Sequence, residues 1–424
     1  MFIRIAEVLT GKLTGKEVAL RGWVYRKREQ KDLIFIVLRD GSGIIQAVVK
    51  DPKLLPVARK VTIESSIELS GAVKAEKKAP GGYEIAATRL SIVGLAERFP
   101  IAKDLSEEFL RDVRHLWLRS QSQRAIMLIR SETLAAIRDW FRAHGYTEIS
   151  PPMFVSGACE GGATLFELKY FDKRAFLTQS WQLYAEAIIQ SIEKIFTIAP
   201  SFRAEKSRTI RHLTEFWHVE AEAAWASMQD IMTVQEQLLS YVCQRIAKKC
   251  KAELAILHVD PAKLAIKPPF PRITYAKAIE LLQKKGFDIK FGDDLGFDEE
   301  KAVAEYFGGP FFIYDYPAAV KAFYCKVYAD RPEIAMSADL LVPRIGEITT
   351  GGARIEDKDK LIARIKELGF RPEDYDWYVD LRRYGTVPHA GFGMGVERLL
   401  AWMLDLPSVW DAIPFPRTPA RVYP

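Results

Sequence analysis

The strongest constraint on this chain is a change in the period of its apolar residues. Early on, Val18, Leu20, Gly22 and Val24 alternate with Ala19, Arg21, Trp23 and Tyr25. Strand side chains point to opposite faces in turn, so this pattern predicts a strand with one buried face. Residues 27–32 read as a charged turn, and residues 33–38 as a second strand. Asp40-Gly41-Ser42-Gly43 marks a tight turn. Residues 44–49, 66–74 and 83–93 complete a set of five strands, with Pro80-Gly81-Gly82 turning the chain before the last. From Arg124 the spacing changes: Ile126, Ile129, Arg130, Thr133, Leu134, Ile137 and Phe141 recur at helical intervals until Gly145.

Five short strands predict a small β-barrel. An OB-fold is one barrel of that size and binds single-stranded nucleic acid, although pattern alone leaves other small barrels equally open. Phe99-Pro100 and the polar residues 103–112 read as a linker. Beyond it, strands at 175–177, 195–203 and 212–225 mix with helices at 180–193, 229–253, 275–285 and 356–368. That mixture predicts an α+β domain on an antiparallel sheet. The domains expected are 1–98 (barrel), 99–123 (hinge) and 124–424 (the larger domain).

A net charge of +6 over 424 residues is too small to argue for an anionic partner by itself. Cys159, Cys243, Cys250 and Cys325 form no C-x-x-C pair, so neither a zinc site nor a disulfide framework is expected. The same usage fits a reducing cytoplasm. The sequence predicts no secretory leader and no membrane span.

Two segments carry chemistry. Residues 202–222 place Arg203, Lys206, Arg208, Arg211 and His212 within ten positions, followed by Glu215, Glu220 and Glu222. Guanidinium forks match phosphate oxygens, and acids on one strand face can hold an ammonium or a metal. Near the end stands Gly391-Phe-Gly-Met-Gly-Val-Glu-Arg398. Alternating glycines before a helix let a backbone approach a ligand. The spacing is neither a dinucleotide fingerprint nor a P-loop.

These segments resemble motifs 2 and 3 of the class II aminoacyl-tRNA synthetases: Phe-Arg-x-Glu, a loop, Arg-His-Leu-x-Glu-Phe, and later Gly-x-Gly-x-Gly-x-Glu-Arg. Residues 127–155, ending at Pro151-Pro152, resemble motif 1, which builds the family's homodimer interface. The barrel resembles the anticodon-binding OB-fold of the aspartyl, asparaginyl and lysyl subgroup. The resemblance implies ATP as substrate, Mg²⁺, and tRNA bound at both the anticodon and the acceptor end. Arg203 would hold the α-phosphate. Arg398 would hold the γ-phosphate and cover the adenine, with Phe216 on its other face. Glu205, Arg211, His212, Leu213, Glu347, Gly395 and Glu397 would complete the nucleotide site. Asp339, Glu347 and Thr350 would hold the metal, with Thr350 at a position where the family often has Ser. The interval from Asp339 to Glu347 is one residue longer than the aspartyl pattern.

The same resemblance assigns Glu160 to the substrate α-ammonium, Gln182 to a second contact, and Arg354 to the substrate side chain. Glu220 and Thr350 join them. Phe35 and Gln46 match the positions that stack on and read the middle anticodon base. Ala185 replaces the lysine that pairs with an aspartate carboxylate, Glu220 replaces an Asp, and His389-Ala390 replaces His-Gly. These differences favour asparagine, as do the archaeal asparaginyl-like segments at 163–172, 213–218 and 415–421. The alternatives are an aspartyl enzyme, possibly charging both tRNAs, and a tRNA-independent ligase making asparagine, which would need no anticodon reader.

Overall fold

The computed structural model describes residues 1–101, 105–160, 164–206 and 209–424. Arg208 and residues 161–163 therefore lie outside the described residues. The chain folds as two units, Met1–Leu110 and Arg111–Pro424.

In the first unit β1 (Glu17–Gln30), β2 (Leu33–Arg39), β3 (Ile44–Val49), β4 (Ser66–Ala75) and β5 (Tyr83–Gly94) form a closed barrel in the order β1-β2-β3-β5-β4. Its inside is filled by Leu20, Val24, Ile34, Ile36, Leu38, Ile45, Ile67, Leu69 and Ile85. β1 runs further than its composition suggests. The expected turn at 27–32 shrinks to Lys31-Asp32, because Lys27 to Gln30 pair with Leu33 to Ile36; Arg28 to Gln30 lie exposed, while the Lys27 ammonium donates to the Arg59 and Val61 carbonyls.

The second unit is built on an eight-stranded sheet. Its strands are β6 (Thr147–Glu148), β10 (Lys194–Phe202), β11 (Glu215–Ala224), β12 (Arg272–Thr274), β13 (Phe311–Tyr314), β14 (Ser337–Val342), β15 (Gly346–Ala353) and β16 (His389–Gly395). They lie in the order β12-β13-β14-β15-β16-β11-β10-β6, antiparallel except at the two edges. A small sheet of β7 (Phe154–Val155), β8 (Glu167–Tyr170) and β9 (Lys173–Leu177) stands apart. The fold is the expected α+β class.

The helices Gln121–Ala143 and Met228–Lys249 share one apolar core with the sheet: Ile137, Phe141, Leu239 and Val242 join Phe196, Val219 and Phe392. Ser120 caps the first helix through the Gln123 N–H, and Gly145 follows its end at φ +79°, a conformation glycine adopts without strain. Ser227 and Asp230 form a capping box on the second. The long helix expected over 229–253 breaks at Cys250 and resumes as Lys251–Ile256.

Of the expected hinge 99–123, the part from Arg111 onward belongs to the second unit. Arg114 is buried, donating to the carbonyls of Pro414 and Ile413 at 2.9 and 2.8 Å. All four cysteines are free and buried.

Candidate active site

A cavity of about 400 Å³ opens on the face of the large sheet away from those helices. Its floor follows from strand parity. His218, Glu220 and Glu222 share one face of β11, and across the ladder each meets a glycine of β16: Gly395, Gly393 and Gly391 respectively. A Cβ at Gly391 would overlap the Glu222 carboxylate, and one at Gly393 would stand 2.5 Å from His218 Nε2. The alternating glycines thus make room first for the protein's own side chains.

The nucleotide end is basic. Arg203 leaves the end of β10, with its guanidinium 5.5 Å from the Phe216 ring centroid. Its Nε is buried with no hydrogen-bond partner among the described residues, and Arg211 Nε is in the same condition. Arg398, in the first turn of the helix Val396–Met403, donates to the Glu347 carbonyl at 2.9 Å and its carboxylate at 3.2 Å. His212 lies 3.8 Å from Glu205, and burial and Arg398 lower its pKa. Burial, with Arg203 and Arg398 adding to it, pushes His218 down to about 3. Leu213 is buried beneath. Gly395 lines the cavity. Glu397 reaches its floor, but its oxygens face Arg130 at 2.7 Å and the Trp217 N–H at 3.0 Å. Those contacts fix the helix Val396–Met403 to β11.

The acids sit on β14 and β15. Asp339 pairs directly with Thr350, so their side chains share the cavity face. In a regular strand Glu347, three residues from Thr350, would point the other way. The ladder instead steps from Leu340–Thr349 to Leu341–Glu347, a bulge that absorbs Ile348 and returns Glu347 to the Asp339 face. Asp339 Oδ2 receives Lys321 Nζ at 2.7 Å, while Oδ1 is buried with no hydrogen-bond partner found among the described residues. Burial opposes the Lys321 charge, but Asp339 and Glu347 outweigh it and raise its pKa. Burial likewise opposes ionisation of Glu347, yet Arg398, Lys321 and Arg203 bring its pKa below the usual carboxyl range. An orphaned carboxylate oxygen beside a second carboxylate and a hydroxyl fits the oxygen preference of Mg²⁺.

The amino-acid end is a closed network. Arg354 donates to both oxygens of Glu222 at 3.0 Å and to Gln182 Oε1 at 2.7 Å. Gln182 Nε2 donates to Glu222 and, one helical turn on, to Glu186 at 3.1 and 3.0 Å. Glu186 also receives Arg382, His389 and Tyr378. Glu186, Glu222 and His389 bring three donor atoms within 4.8 Å of one another, but Arg354 and Arg382 already balance the carboxylates, so this cluster is an ion network rather than a metal site. Glu160 accepts from the Tyr324 hydroxyl. Glu220 accepts from the Ser180 hydroxyl and, at 3.3 Å, from the Trp181 N–H. Burial still raises its pKa to about 8. Ala185 is fully buried on the Gln182 helix.

Sequence reasoning named many of these groups but not Lys321, Tyr324, Glu186, Tyr378 or Arg382. Lys321 and Tyr324 lie in an irregular stretch with no periodic signal. Glu186, four residues after Gln182 on a helix, was within reach of the i, i+4 rule.

In the barrel, Phe35 and Gln46 face outward together, since Phe35 pairs with Val48 and Gln46 with Val37. Arg28 covers Phe35 at 4.5 Å, and Gln46 donates to Glu84 at 3.0 Å.

The chain is 52% identical over 98% of both lengths to the asparagine–tRNA ligase of Thermococcus kodakarensis. The crystal structure of asparaginyl-tRNA synthetase from Pyrococcus horikoshii complexed with asparaginyl-adenylate matches all of both chains with a TM-score of 0.97 and 48% identity. The aspartyl tRNA synthetase from Entamoeba histolytica matches with a TM-score of 0.88 but 28% identity, over all of this chain and 93% of that one. The model of class II tRNA synthetases (D, K and N) matches residues 106–419, and that of the OB-fold nucleic acid binding domain residues 18–93. With the motif arginines gathered at one cavity and a five-stranded barrel ahead of it, the chain belongs to the class II tRNA synthetases of the D, K and N group.

Proposed function

We propose that this chain is an asparagine–tRNA ligase that forms asparaginyl-adenylate from asparagine and ATP and passes the asparaginyl group to tRNA. The observation that carries the choice of amino acid is the condition of Arg354. Its charge is already met by both oxygens of Glu222, and Ala185 adds no second cation. A substrate carboxylate entering there would find no uncompensated positive charge and would bear its full desolvation cost. A neutral amide bears far less and can both donate and accept hydrogen bonds.

In the first step a carboxylate oxygen of asparagine attacks the α-phosphorus, the bond to the bridging oxygen breaks, and pyrophosphate leaves. No protein nucleophile is needed; positioning and charge neutralisation carry the step. Arg203 grips the α-phosphate where negative charge grows, Arg398 the far phosphate, and Phe216 the adenine. Asp339, Glu347 and Thr350 would hold Mg²⁺, which neutralises phosphate charge when bound. Glu160, oriented by Tyr324, receives the α-ammonium. In the second step a terminal ribose hydroxyl of tRNA attacks the adenylate carbonyl and AMP leaves. Phe35 and Gln46 read the anticodon, by stacking worth about 1–3 kcal/mol per base and by amide hydrogen bonds.

We further propose a homodimer through the motif 1 segment, and a cytoplasmic location. No helix among the described residues is long and apolar enough to cross a membrane. ATP–pyrophosphate exchange with each amino acid tests the reading: exchange with asparagine well above that with aspartate is expected. Faster exchange with aspartate would overturn the choice.

A further inference from the structure

Glu300 belongs to none of the family motifs, yet its carboxylate lines the cavity beside Arg211. It projects from the helix Phe297–Phe307, which packs through Ala302, Val303 and Ala304 into a separate apolar cluster. Its Oε2 receives Arg211 Nη1 at 2.6 Å and the Glu347 N–H at 3.2 Å. The Phe297 ring lies 4.4 Å from the same guanidinium, and the Ile345 carbonyl accepts from it at 3.2 Å. The chain beside this contact is shaped to it. Gly346 has a φ of +79°, and a Cβ there would overlap Glu300 Oε2. Arg211 is thus held by a carboxylate, a ring and a carbonyl, none from its own loop, while its Nε has no hydrogen-bond partner among the described residues.

We infer that Glu300 is the positioning residue for Arg211, fixing its guanidinium so that its open edge meets the triphosphate of the nucleotide. The inference rests on the reading of this end as an ATP site. A guanidinium on a loop loses side-chain freedom when it binds phosphate; one already clamped has lost it beforehand. Glu300 also accepts from the backbone of Glu347, so the same carboxylate ties Arg211 to the strand that carries the acids.

The test measures ATP binding by calorimetry without amino acid, alongside pyrophosphate exchange, on the full chain. Glu300→Ala is expected to raise the KM for ATP and its dissociation constant roughly tenfold, the scale of one charge-assisted hydrogen bond. The kcat and the KM for asparagine should change less than about threefold. Glu300→Gln keeps an acceptor oxygen and should recover part of the loss. Once Arg211→Ala is present, Glu300→Ala should add little, because both remove one contact. Additive losses, an equal rise in both KM values, or unaltered ATP affinity would overturn the inference. Where the alanine variant does not melt cooperatively, Glu300→Gln carries the same cycle. A wild-type chain that binds ATP but exchanges nothing with asparagine would sink the functional reading alone, since the Arg211–Glu300 coupling is read from ATP binding.

Discussion

The two ends of the cavity hold arginine differently. At the nucleotide end, Arg203 keeps a buried Nε without a partner and meets no carboxylate among the described residues, while Arg211 and Arg398 rest on Glu300 and Glu347 and Arg211 Nε stays without a partner there. At the amino-acid end, Arg354 is held by Glu222 and Gln182, and Arg382 by Glu186. Buried donors left open are costly unless a ligand completes them. The first end is therefore built for a polyanion, and the second for a ligand that brings no net side-chain charge. On the proposed reading, selectivity at the second end rests on charge already neutralised rather than on a missing cation alone.

The largest effect is expected at the nucleotide end. Arg398→Ala should lower pyrophosphate exchange by about a hundredfold or more, the scale for removing one transition-state charge contact. tRNA binding, followed by filter retention, should stay close to wild type, and loss of both together would point to misfolding instead. Next comes the closed end. Glu222→Gln frees Arg354 from its counter-charge and should move the asparagine-to-aspartate ratio of kcat/KM toward aspartate by roughly tenfold or more. An unmoved ratio in a folded variant would break the contrast between the two ends.

A third expectation concerns stability rather than turnover, through Glu220. Its folded pKa of about 8 lies above the ordinary 4.5, because burial disfavours the anion. Between those values the folded state holds a proton that the unfolded state has lost. The stability linked to the neutral form is complete below pH 4.5 and declines as pH rises through 8, by at most about 1.4 kcal/mol per pH unit. Urea midpoints from pH 5 to 8.5 should fall more steeply for wild type than for Glu220→Gln. Parallel curves would show that Glu220 ionises as freely as an exposed acid.

Much of this was legible beforehand. The barrel strands at 44–49 and 66–74 coincide almost residue for residue with β3 and β4, because period-two burial leaves one register that hides the apolar face. The charged extension of β1 was not legible, since Lys27 to Gln30 are held by pairing rather than by burial. In the site, the motif arginines and Glu220 were readable from the resemblance of their segments to motifs 2 and 3. The break at Cys250 and the shortened helix Gln182–Ile188 were not, since helix ends depend on what the helix packs against.

The linear chain determined which chemical groups are available: strand parity put His218, Glu220 and Glu222 on one face, and the glycines at 391, 393 and 395 cleared the space across from them. Only the tertiary structure decided how those groups are spent. The bulge at Ile348 turned Glu347 toward Asp339, the irregular stretch around 321–324 delivered Lys321 and Tyr324, and a helix from outside the motifs set Glu300 on Arg211. Local pattern records the direction of a side chain, but the charge it meets is set by segments far away in sequence, and that meeting decides whether a buried arginine is open or already satisfied.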